Sequence, residues 1–82
     1  MKVQRVQTGV RMEKRLLKVL KTMAEYHEMS LGDLLEGIVL HAMDGKLPFS
    51  EESRMKIDKI KALYGMDYGS EASHKMIEED DE

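Results

Sequence analysis

The chain has 82 residues and a net charge of −3, with thirteen Lys and Arg against sixteen Asp and Glu and no cysteine. That length admits one small domain, and the missing thiols exclude both a disulfide framework and a thiolate zinc site. No apolar run reaches the roughly 18 residues needed to span a bilayer, and the N-terminal stretch lacks a secretory apolar region, so the expected setting is cytoplasmic with no membrane partner.

The net charge conceals an asymmetry. Residues 1–22 carry seven basic side chains (Lys2, Arg5, Arg11, Lys14, Arg15, Lys18 and Lys21) against one acid, Glu13, a balance of +6. Residues 47–82 carry five basic residues against ten acidic ones, a balance of −5. A basic head and an acidic tail imply that the head meets an anion and the tail does not. Some of these lysines, Lys18 and Lys21 among them, equally fit a merely solvated helix face.

The first element expected is a short strand over residues 4–12. Val6, Thr8, Val10 and Met12 fall on one side of an extended chain, and Arg5, Gln7, Gly9 and Arg11 on the other. A lone strand followed only by helices has no ladder partner in its own chain, which points to an identical copy. The strongly patterned part, residues 1–46, is also close to the size at which a lone chain buries too little surface to stay folded. Both arguments predict a homodimer.

A helix is expected from Glu13 to about His27, with Leu16, Leu17, Val19, Leu20, Met23 and Ala24 forming one broad stripe. Glu28-Met29 makes a short connection. Ser30 is a good N-cap for a second helix, with Asp33 in its first turn. Leu31, Leu34, Leu35, Ile38, Val39, Ala42 and Met43 make this helix apolar on more than one side, as at the centre of a dimer, and Gly45 ends it. Residues 46–49 read as a linker. Ser50-Glu51-Glu52 opens a third helix with a thinner face of Ile57, Ile60 and Tyr64, stopped by Gly65. Residues 65–82 are acidic and poor in apolar side chains, the composition of a segment without fixed structure. The organisation expected is therefore 1–46 as the folded unit, 47–64 as linker and third helix, and 65–82 as an acidic tail.

An alternating strand ending in Arg11, an amphipathic helix, and the step Met29-Ser30-Leu31-Gly32 opening a second apolar helix together resemble the ribbon-helix-helix family of DNA-binding proteins, that of the Arc, MetJ and CopG repressors. The resemblance covers about residues 3–44. It implies a mostly α fold in which one N-terminal strand pairs antiparallel with its twin in an intertwined homodimer, and the resulting ribbon enters the DNA major groove. It puts base contacts at Gln7, Gly9 and Arg11, with Arg5 on the same face. Arg matches guanine O6 and N7 and Gln matches adenine N6 and N7. It puts phosphate contacts at Ser30, Leu31 and Gly32, where free N–H groups at a helix start favour an anion, and Lys14 joins them. The dimer core would hold Val10, Met12, Leu16, Leu20, Leu34, Leu35 and Val39. Gly9 departs from the family pattern, since it brings only backbone groups to a position that usually carries a polar side chain.

His27, His41 and His74 lack the spacing and carboxylate partners of a metal site. There is no nucleophile elbow, glycine-rich phosphate loop or paired catalytic carboxylate, so neither an enzyme nor a cofactor is expected. The eight methionines suit adaptable packing. The function expected is a sequence-specific transcriptional regulator, a repressor. Two alternatives stay open: the antitoxin of a toxin–antitoxin pair, with residues 50–82 holding the toxin, and a dimeric protein-interaction module that binds no nucleic acid.

Overall fold

The structure is a computed structural model that describes residues 1–79. Among the described residues three helices of equal length follow one another, α1 (Lys14–Tyr26), α2 (Leu31–Met43) and α3 (Glu51–Leu63), and a 3-10 turn lies at Ser70–Ala72. Each start is chemically marked. The Glu13 carboxylate accepts from the amides of Arg15 and Leu16 at the head of α1. The hydroxyls of Ser30 and Ser50 accept from Asp33 N and Ser53 N at the heads of α2 and α3.

The three helix ends share one closure. The amide of Met29 reaches back to Ala24 O at 2.9 Å, that of Lys46 to His41 O at 2.8 Å, and that of Met66 to Lys61 O at 2.8 Å. This wrap needs a left-handed residue just before each of those amides. Gly45 and Gly65 supply it at φ 71° and 67°, but after α1 the position is Glu28 at φ 55°.

Helix α1 is the central element and packs against both α2 and α3. Its stripe supplies Val19, Met23 and Ala24 to the interior, where they are joined by Leu34. Leu20, Ile38, Phe49, Ile57 and Ile60 pack around this cluster. The core thus draws on all three helices and on the 46–49 connection. It is small, with Met23 its one large side chain closed off completely.

The expected ribbon-helix-helix architecture does not stand. Among the described residues there is no β-strand, and the chain is three helices preceded by an extended segment, residues 1–12. The alternation of residues 4–12 specifies an extended amphipathic chain, but a strand also needs a ladder partner. Among the described residues the arm forms no ladder with any other segment. The arm is held instead by side chains. Arg5 is tied to Asp33 and Glu36 of α2, and Arg11 to Glu78. Of the residues expected in a shared core, Leu34 is buried and Leu20 packs against it, while Met12, Leu16 and Leu35 are half-buried. Val10 and Val39 are 74% and 52% exposed.

Candidate nucleic-acid interface

The cations of residues 1–22 lie on two supports. Lys2, Arg5 and Arg11 sit on the exposed arm, and Lys14, Lys18 and Lys21 are exposed on one side of α1, away from Val19 and Met23. Their spacing of four and three residues along α1 makes them neighbours on a single helix face. Lys18 Nζ lies 5.8 Å from the centre of the Tyr64 ring, which steadies the middle of the row.

The two arm arginines face carboxylates. Arg5 Nη2 donates to Glu36 Oε1 at 2.8 Å and to Asp33 Oδ1 at 3.2 Å, while its Nε donates to Glu36 Oε2 at 3.1 Å. The hydrogen bond to Glu36, then the charges of Glu36 and Asp33, raise the Arg5 pKa, and Arg5 in turn holds the Glu36 carboxyl below its ordinary value. Arg11 makes a two-pronged pair with Glu78, at 2.9 Å from Nε and 2.6 Å from Nη2. All four side chains remain about half or more exposed. Pairs this exposed contribute little to stability and exchange readily with another anion.

Gln7 and Gly9 lie exposed on the arm between these two anchors. At the other expected anion position, Leu31 is half-buried and Gly32 exposed, with the Ser30 hydroxyl turned to the Asp33 amide at 3.1 Å. Asp33 and the docked Arg5 share that helix start, so an arriving phosphate meets a carboxylate there as well as free amides. The structure therefore brings Arg5 together with the head of α2, and sends Arg11 to the opposite end of the chain.

Arg15 has a different role from its neighbours. Its Nη1 donates to Gly65 O at 2.9 Å and lies 3.5 Å from Asp67 Oδ1, and its guanidinium sits 5.6 Å from the Tyr68 ring centre. Tyr68 donates its hydroxyl to Glu13 Oε1 at 2.6 Å. That bond is the main reason the Glu13 carboxyl is lowered to about 2, with Arg15 assisting. Partial burial, then the bond and charge of Glu13, push the Tyr68 phenol up to about 12. These contacts fasten residues 65–68 to the start of α1. The sequence held a signal for them, since Tyr68 is an aromatic residue within an otherwise polar stretch.

Two of the three histidines make hydrogen-bonding contacts within the fold. His41 Nδ1 lies 2.7 Å from Gly37 O, and His27 Nε2 lies 3.4 Å from the buried Ser53 hydroxyl. His27 and His41 line the same hollow beneath Phe49, a proximity that their sequence separation hid. Among the described residues no three His, Cys, Asp or Glu side chains are grouped to hold a metal ion. No helix is long and apolar enough to cross a membrane.

One apolar row stays open to solvent among the described residues. Val39, Leu40 and Met43 of α2 and the following Leu47 are 52%, 64%, 77% and 79% exposed. Comparison with protein-family models, with curated proteins and with solved structures finds no match to this chain.

Proposed function

We propose that this protein is a DNA-binding regulator acting in the cytoplasm, a repressor, that grips the phosphate backbone with its cationic arm and the lysine row of α1. The observation that carries the reading is the segregation of charge. Six exposed cations, Lys2, Arg5, Arg11, Lys14, Lys18 and Lys21, lie within residues 2–21 of a chain whose net charge is −3. An acidic protein with a concentrated basic head attracts polyanions to that head and repels them elsewhere. The arm is an extended chain of the kind that follows a groove; once Arg5 leaves Glu36 and Arg11 leaves Glu78, these arginines and Gln7 would meet base edges and the lysines would meet phosphates.

Self-association belongs to the same proposal. The chain exposes 7483 Å², whereas a self-contained folded chain of 9.5 kDa exposes about 5,000 Å². The arm accounts for part of the difference, and the row Val39, Leu40, Met43 and Leu47 for another part. A second copy pairing α2 against α2 would cover this row and place two cationic heads on one assembly. The same row also favours the interaction-module reading, in which the assembly binds no nucleic acid. The antitoxin reading needs residues 50–82 for a partner, and the packing of Ile57 and Ile60 in the core lends it no support.

Binding to random-sequence duplex DNA at several salt concentrations tests the proposal. With about four phosphates neutralised per chain, log affinity should fall against log salt with a slope near −4 per chain. Replacing Lys14, Lys18 and Lys21 by Gln should flatten the slope by about three. A slope near zero for the unaltered protein would favour the interaction module.

A further inference from the structure

We infer that residues 65–79 form an autoinhibitory strap that occupies Arg11 and Arg15 of the cationic head and competes with nucleic acid for Arg11. The inference rests on the DNA-binding reading above. Its structural basis is a continuous line of contacts between the two oppositely charged parts of the chain. Gly65 O and Asp67 meet Arg15, Tyr68 meets Glu13, and Glu78 meets Arg11. Over a span of fourteen residues the strap thus runs along only the five positions from 11 to 15.

The contacts divide into a permanent part and a releasable part. Met66 and Tyr68 are half-buried and line the same hollow as Leu16, Val19 and Leu20, so the near half of the strap is held by partial apolar burial and by the Tyr68 bond. Beyond it, Glu78 reaches Arg11 with both carboxylate oxygens, in a pair 83% exposed on the arginine side and 66% on the glutamate side. A carboxylate gripping both Nε and Nη2 of an arginine uses the same forked geometry that a phosphate would use. The pair is weak because it is exposed, but the packed half of the strap keeps Glu78 permanently close. Tethering of this kind replaces a dilute competitor by one at millimolar effective concentration.

The strap therefore sets a threshold. A ligand must present enough phosphates to displace Glu78 from Arg11 before the arm can settle on it, which favours duplex polyanions over single phosphates. Salt loosens the strap together with the DNA contact, because both are exposed ion pairs.

The affinity of the full chain for a random-sequence duplex at low salt tests this, using Glu78→Gln and, as a charge-matched control, Asp58→Asn on the exposed side of α3. Both substitutions remove one negative charge and change the protein's overall field alike, but only Glu78→Gln frees Arg11. Glu78→Gln is expected to tighten binding about two- to five-fold beyond the control, and this difference should disappear when both are made in an Arg11→Gln background. Equal effects of the two substitutions, or a difference that survives Arg11→Gln, would overturn the strap while leaving DNA binding intact. Failure of every variant to bind at low salt would instead overturn the DNA-binding reading, and the strap with it.

Discussion

The Tyr68 hydroxyl and the Glu13 carboxylate meet at 2.6 Å across fifty-five residues of sequence, while the same carboxylate caps α1 through the amides of Arg15 and Leu16. One side chain thereby starts a helix and anchors a distant segment. Tyr68→Phe keeps the ring and removes only the donor, so it is expected to lower stability by about 1 kcal/mol, or roughly 4–8 °C in thermal midpoint for a chain this size. Calorimetry on the two proteins measures it. An unchanged midpoint would show that residues 65–68 hold to α1 without this bond.

The same pair contributes to the pH response at both ends. The Glu13 carboxyl is lowered from 4.5 to about 2, so its contribution is present above pH 4.5 and is lost as pH falls from there toward 2. The Tyr68 phenol is raised from 10 to about 12, so its contribution is present below pH 10 and is lost as pH climbs toward 12. Glu13→Gln should flatten the acid limb of the stability curve, and Tyr68→Phe the alkaline limb. Denaturant midpoints collected across pH 2–12 check both limbs in one series.

Glu28 occupies the left-handed position that Gly45 and Gly65 fill at the other two helix ends. A side chain with a Cβ is disfavoured there, and glycine is the usual occupant. Glu28→Gly is expected to stabilise the protein by about 0.5–1 kcal/mol. A loss of stability would mean that the glutamate side chain makes a compensating contribution larger than the backbone relief.

A chain ending at Leu47 should fail to unfold cooperatively. It keeps the buried Met23, Ala24 and Leu34 but strips away Phe49, Ile57 and Ile60, which cover them. Met23→Ala in the full chain should be comparably harmful, at about 2–5 kcal/mol, because it empties the centre of a core with few other buried side chains. Circular dichroism during thermal unfolding reads both; a sharp transition in the shortened chain would mean that α3 is an accessory to the fold.

Leu40→Asp combined with Met43→Asp should abolish self-association while leaving the helical signal of each chain in place, since both positions are exposed in the single chain. Sedimentation at micromolar concentration distinguishes the outcomes. A monomeric wild-type protein would remove the α2 face from the proposal.

The parts of the fold written in local chemistry were legible from the sequence. Ser30 and Ser50 announce two helix starts, Gly45 and Gly65 two helix ends, and the spacing of Val19, Met23 and Ala24 the inner face of α1. The end of α1 expected at about His27 matches its C-cap, although Glu28 carries no preference for the left-handed conformation it adopts there. The strand was misread for a physical reason. Alternation along residues 4–12 reports that the chain is extended and two-faced, but says nothing about whether a neighbour completes a ladder. The basic character of the candidate interface was likewise apparent from Lys14, Lys18 and Lys21. The engagement of Arg5 with Glu36 and of Arg11 with Glu78 was not, because pairs separated by 31 and 67 residues leave no periodic trace.

The arm touches the rest of the molecule through Arg5 and Arg11, at carboxylates that are themselves exposed, and residues 1–11 add no buried side chain to the interior. Its composition is therefore nearly independent of the requirements of folding. Substitutions at Gln7, Thr8 or Gly9 can accumulate without endangering the three helices, whereas those at Val19, Met23 or Leu34 are constrained by packing. A lineage carrying this scaffold could rewrite what the arm recognises one residue at a time, each intermediate remaining a folded protein.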